Sequence, residues 1–110
     1  MASDKKYLDT VLNKLDSLDD IYYKSMMGEY IIYYKNKIMA YVCDNHLFIK
    51  PTDKAKSLIN NYILKPPYQN AKEMIFIEDI NNYNNDFFKY LFNEIYDELP
   101  LIKKVKNKNK

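Results

Sequence analysis

The stretch from residue 21 to residue 50 most constrains what this chain can become. It is dense in β-branched and aromatic side chains, and only short breaks interrupt it. Lys35-Asn36 and Asp44-Asn45 are two-residue breaks, and asparagine tolerates the positive φ that a tight hairpin demands. The chain's single glycine, Gly28, lies between Met27 and Glu29, where one strand is expected to end and the next to begin. A joint there needs a backbone geometry that a side chain would obstruct, such as a bulge or a tight bend. Strands are therefore expected from Ile21 onward and, after Gly28, over about 29–35, 37–43 and 46–50, as an antiparallel meander.

Helical patterns flank this run. Leu8, Val11, Leu12, Leu15 and Leu18 form one apolar stripe, with Ser3 as the expected N-cap and Asp4 suited to the positive helix start. After Pro51, Thr52 is placed to cap a short helix with apolar positions at Ala55, Leu58, Ile59 and Tyr62. Lys65-Pro66-Pro67-Tyr68 reads as a stiff extended connector, and Met74-Ile75-Phe76-Ile77 as a further strand. A polar run from Asp79 to Asn85 leads into a last helix with Phe88, Leu91, Phe92, Ile95 and Leu99 on its buried face, stopped by Pro100. The expected fold is α+β: an antiparallel sheet of about five strands with helices packed on it, in the order α-β-β-β-β-α-β-α.

Alternation assigns the sheet's two faces. In 29–35, Ile31 and Tyr33 point one way while Tyr30, Ile32 and Tyr34 point the other. In 37–43, Ile38, Ala40 and Val42 are expected to oppose Met39, Tyr41 and Cys43. Both faces are apolar or aromatic. The expectation is that three short helices cover both, one crossing behind. The alternative leaves one face to a partner or a second copy of the chain.

At 110 residues the chain holds one domain, expected over 1–102, followed by a disordered Lys/Asn-rich tail over 103–110. All 17 basic residues are lysine, so bidentate arginine readout of guanine is excluded. The tail carries Lys103, Lys104, Lys106, Lys108 and Lys110 and no acid, whereas 1–102 has 12 lysines against 15 acidic residues. Weak, salt-sensitive attraction of the tail to nucleic acid follows from that asymmetry. No apolar run is long enough to span a bilayer, the opening MASDKK lacks an apolar signal region, and a single cysteine makes no internal disulfide. A cytoplasmic protein without membrane contact is expected.

Few residues suggest chemistry. Cys43 and His46 flank the Asp44-Asn45 turn and should face each other across it. A structural zinc site needs four ligands, and the chain has no other cysteine or histidine. The carboxylate pairs Asp19–Asp20, Glu78–Asp79 and Asp97–Glu98 lie at element boundaries or on polar helix faces, where solvation and helix-end charge account for them. One glycine cannot make a phosphate-binding loop. The reading is of no catalytic, metal or cofactor residues, with no small-molecule substrate inferred; an enzyme with an unrecognised pocket stands as an alternative. The bend at Gly28 makes Met26, Met27, Gly28, Glu29 and Tyr30 the candidate interaction surface.

The order of motifs resembles the N-terminal domain of the TfoX/Sxy competence-regulator family. The resemblance rests on Tyr22-Tyr23-Lys24-Ser25-Met26-Met27-Gly28-Glu29-Tyr30, Tyr34-Lys35-Asn36-Lys37, Asp44-Asn45-His46-Leu47, Lys50-Pro51-Thr52 and Pro66-Pro67-Tyr68 with Ala71-Lys72. It covers nearly the whole chain and is nearest to small stand-alone members. Asn36 stands where the family often has glycine, and the helical C-terminal domain of the two-domain regulators has no counterpart in these residues. The resemblance implies a non-enzymatic regulatory module acting through protein contacts, as a homodimer or with a partner, in competence or transcription. A nucleic-acid-associated regulator using the basic tail is the alternative.

Overall fold

Three hairpins built alike organise the sheet. In the computed structural model, which describes residues 3–102, β1 (Ile21–Met26), β2 (Glu29–Tyr34), β3 (Lys37–Cys43) and β4 (His46–Ile49) are joined by two-residue turns. Every central residue of those turns has positive φ: Met27 and Gly28 at 52° and 86°, Lys35 and Asn36 at 48° and 67°, Asp44 and Asn45 at 51° and 55°. That pattern belongs to the turn whose twist matches the right-handed twist of the strands it joins. Gly28 therefore serves a tight hairpin. Its partner in the turn, Met27, holds a left-handed conformation that disfavours a residue with a Cβ.

The sheet has six strands in the order β1-β2-β3-β4-β6-β5, all antiparallel, with β5 at Ile63–Lys65 and β6 at Met74–Ile77. The sixth strand, β5, lies just before Pro66, where the sequence suggested helix and then connector. The α2 helix (Asp53–Leu58) is capped by Thr52, whose hydroxyl accepts from the Ala55 amide at 3.0 Å. It stops before Tyr62 because the chain extends at Ile59 and Asn61 turns left-handed at φ 54°.

The α1 helix (Lys5–Lys14) is capped by Asp4 rather than Ser3: Asp4 Oδ1 accepts from the Tyr7 amide at 2.8 Å. The α3 helix (Asn85–Ile95) is capped by Asn84 in the same way, at 2.8 Å from the Phe87 amide. All three helices lie on one face of the sheet. Leu8, Val11 and Leu15 of the first helical segment, Ala55 and Ile59, and Phe88, Leu91, Phe92 and Ile95 share one core with Ile32, Val42, Leu47, Ile49, Ile75 and Ile77. Fully burying each such large side chain contributes about 1.5–3 kcal/mol.

No helix residue belongs to the cluster on the opposite face, which consists of Cys43, Phe48 and Met74 with Tyr41 and Phe76. The expected coverage of both faces by helices does not occur. The face assignment of 37–43 also changes at two residues, Ile38, which shares the face of Tyr33 rather than that of Ala40 and Val42, and Met39. The β2–β3 register shifts between Ile32 and Tyr33, so that Ile32 faces Ala40 while Tyr33 faces Ile38. The extra residue of this bulge, Met39, joins the helix-side core and leaves the face of Tyr41 and Cys43.

Gly28→Ala should lower stability by about 1–2 kcal/mol, and Met27→Asn should raise it by up to about 1 kcal/mol. Denaturant midpoints measure both; a neutral Gly28→Ala would contradict the turn geometry.

Candidate functional site

The candidate residues at the Gly28 turn do not form one surface. Met27 is 95% exposed at the tip of the hairpin, with Gly28 exposed beside it. Met26 and Glu29 pair across the strands, while Tyr30 packs against the helix-side core. The corner is fastened to its surroundings. The Ser3 amide donates to the Gly28 carbonyl at 3.0 Å. The Ser3 hydroxyl donates to Glu29 Oε1 at 3.2 Å and accepts from the Asn45 amide at 2.9 Å. The Asp44 amide also donates to Glu29 Oε1, at 3.2 Å. Ser3 thus links two hairpin turns and is itself 7% exposed. These contacts explain why Ser3 yields the capping role to Asp4.

Cys43 and His46 pair directly across the β3–β4 turn. Burial pushes the Cys43 thiol up to about 12, and the charges of Glu29 and Asp44 add to the shift. A thiol so held is protonated at neutral pH and is a poor nucleophile. His46 Nδ1 lies 2.9 Å from the Asp44 carbonyl oxygen; a carbonyl only accepts, so this contact puts the proton on Nδ1. Its ring leans on Phe76, with centroids 4.8 Å apart. Among the described residues no three His, Cys, Asp or Glu side chains gather as they would around a metal ion. The tail lysines 103, 104, 106, 108 and 110 lie outside the described residues.

The sheet face without helices carries a different set of groups. Tyr22 stacks on Tyr33 at 4.6 Å with planes 3° apart. Tyr41, Phe48 and Phe76 continue the row of rings across β3, β4 and β6. Lysines stand over it: Lys24 over Tyr33 at 5.8 Å, Lys50 over Tyr41 at 5.7 Å and Lys65 over Phe76 at 4.2 Å. The one ion pair among the described residues, Lys54 to Glu94 at 2.9 Å, joins α2 to α3 on the other side.

A pocket of about 290 Å³ opens on this face. Tyr41, Tyr68, Lys50, Lys72, Glu73 and Met74 line it, with Pro51 and Pro67. Tyr68 lies nearly parallel to Tyr41, with centroids 6.2 Å apart and planes at 21°. Burial lowers the Lys50 pKa, and the nearby charge of Lys72 lowers it further.

The chain is 30% identical over 80 residues to a Spirochaeta aurantia protein described as an uncharacterized 12.7 kDa protein in the trpE 5′ region. The match covers 73% of this chain and 70% of that protein. The chain belongs to that protein's family. No protein-family model matches the chain, and no solved structure matches it.

Sequence reading missed the pocket because its parts come from distant segments: β3, the end of β4 and the loop 66–73. The signal in the sequence was Pro66-Pro67-Tyr68, which brings Tyr68 back over Tyr41. It also missed that Met39 parts from Tyr41 and Cys43, because nothing in the local pattern announces the bulge.

The thiol shift fixes the sign of a pH effect. Native Cys43 titrates near 12 and the ordinary thiol value is 9.0, so the stability it contributes is complete below 9.0 and lost as pH rises toward about 12. Tyr7, pushed up from 10.0 to about 12 chiefly by burial, adds to the same alkaline loss. Cys43→Ala should flatten the fall in stability from pH 9 toward about 12, read by denaturant midpoints at each pH. At pH 8 a thiol reagent should label the native protein slowly and the denatured protein fast; equal rates would contradict a buried thiol.

Proposed function

We propose that this chain is a non-enzymatic regulatory module of the TfoX N-terminal type, acting through contacts made by the helix-free sheet face. One observation carries the reading: all three helices bury into one face, while the opposite face, crossed only by the loop 66–73, keeps Tyr22, Tyr41 and Phe76 at least partly exposed beside lysines. Rows of aromatic side chains at a surface favour association, since they bury much area with few rotamers to freeze. The reactive groups support contact rather than chemistry, for the thiol is buried and the imidazole is held by a carbonyl and a ring. Among the described residues no helix is long and apolar enough to cross a membrane. A cytoplasmic setting suits the single free cysteine.

A second reading, association with nucleic acid, gains from the lysines that stand over rings on the same face. In it the tail lysines add salt-sensitive affinity.

Affinity capture from the native host tests the contact surface. The full chain should retain a defined partner, or a second copy of itself, and the double variant Tyr22→Ser with Lys24→Glu should lose it. The helix-side variant Lys89→Glu should retain it. Capture that survives the sheet-face variant and fails with the helix-side one would overturn the reading.

A further inference from the structure

The pocket at Tyr41 and Tyr68 combines two features. One is a flat aromatic wall: two tyrosine rings nearly parallel, the outer one, Tyr68, 44% exposed. The other is a pair of ammonium groups, Lys50 and Lys72, close enough that the charge of Lys72 disfavours that of Lys50. Proline and methionine side chains complete an apolar lining. Lys50 is half-buried and stands over the Tyr41 ring, so its charge faces the same space as the aromatic wall.

We infer that this pocket binds a nucleotide unit, its base against Tyr68 and Tyr41 and its phosphate between Lys50 and Lys72. The inference rests on the reading of the chain as a binding module. Each part of the ligand meets a group suited to it. A base offers a π-face to tyrosine whatever its identity, and such stacking is worth about 1–3 kcal/mol per base. Lysine binds phosphate as a point charge, without the fork that planar carboxylates favour. Burial chiefly, and the charge of Lys72 after it, lower the Lys50 pKa, and an anion between the two lysines would oppose both effects. Glu73, the one acid in the lining, can only accept, and the exocyclic amines of bases are donors. At about 290 Å³ the pocket is at the small end of ligand sites, which begin at about 300 Å³, and suits one base and its phosphate rather than a dinucleotide.

The surroundings favour a strand over a free nucleotide. On either side of the pocket the same pairing of ring and lysine recurs, Lys24 with Tyr33 toward β1 and Lys65 with Phe76 toward β5. A single strand presents bases and phosphates in succession, and only an unpaired strand frees its bases to stack on the rings of this face that are at least partly exposed, Tyr22, Tyr68 and Phe76. Four of the acidic side chains, Asp9, Asp53, Asp86 and Glu94, are on the helices, behind the sheet.

Fluorescence anisotropy with the full chain and end-labelled oligocytidylate or oligoadenylate tests this, with cytidine monophosphate as competitor. Both oligonucleotides should bind at low salt and a duplex of equal length more weakly. Tyr68→Ala should weaken binding about ten-fold, within the range of a lost stack. Lys72→Gln should weaken it and reduce the salt slope by about one phosphate contact. Tyr68 and Lys72 are exposed, so both variants should keep the wild-type circular dichroism. Competition by the mononucleotide at similar molar concentration would keep the pocket and make free nucleotide its ligand. Oligonucleotide binding indifferent to both substitutions would overturn the pocket, because the affinity would then reside elsewhere, as in the lysine tail. Failure of every probe would also overturn it, and would leave the contact surface to be judged by the capture experiment. Recovery of the mononucleotide hydrolysed would instead overturn the non-enzymatic reading.

Discussion

The phase of the sheet's alternation governs everything else in this molecule. Side chains on a strand change face at every residue, so a slip of one position would turn the core outward. Three turns of two residues each, all with left-handed central residues, leave no slack for such a slip. With the phase set, Ile32, Val42, Leu47 and Ile75 meet the helices, and Tyr22, Tyr33, Tyr41 and Phe76 meet none. The bulge at Met39 is the one adjustment, and it adds a large side chain to the core without disturbing the pairs on either side.

The helix layer carries the ion pair, and lysines stand over aromatic rings on both faces, Lys35 and Lys37 over Tyr34 and Tyr96 on the helix side and Lys24, Lys50 and Lys65 over Tyr33, Tyr41 and Phe76 on the other. An ammonium over a ring keeps its charge available, because the ring offers only a partial countercharge. Such a face is fitted to meet anionic or aromatic groups of something else. The Cys43 thiol is held protonated by burial, the His46 ring is oriented by the Asp44 carbonyl and Phe76, and Glu29 accepts from two donors at the turn corner.

Most of the architecture was legible because the strong signals are local. The Asn36 and Asn45 turns, Thr52 as a cap and the stripe Phe88-Leu91-Phe92-Ile95 each state their role within a few residues. The shortfalls come from competition at a distance. Ser3 is a fitting cap by type, yet its hydroxyl is drawn to Glu29 and the Asn45 amide, and Asp4 takes the cap. The short strand β5 exists because β6 offers it an edge, not because Ile63-Leu64-Lys65 is strongly patterned. Whether helices cover one face or two is a property of packing, and alternation with apolar residues on both sides left it open. The pocket was hidden for the same reason, since its walls meet only after the loop 66–73 returns across β3.

A soluble paramagnetic agent added to the protein in an NMR tube tests the central point, that helices cover one face of the sheet and leave exposed rings on the other. Ring and methyl signals of Tyr22, Ile63, Tyr68 and Phe76 should broaden strongly, while those of Ile32, Leu47, Ile75 and Phe92 stay sharp. Equal protection of the two sets would mean that something already covers the second face, and would contradict a sheet clothed by helices on one side alone.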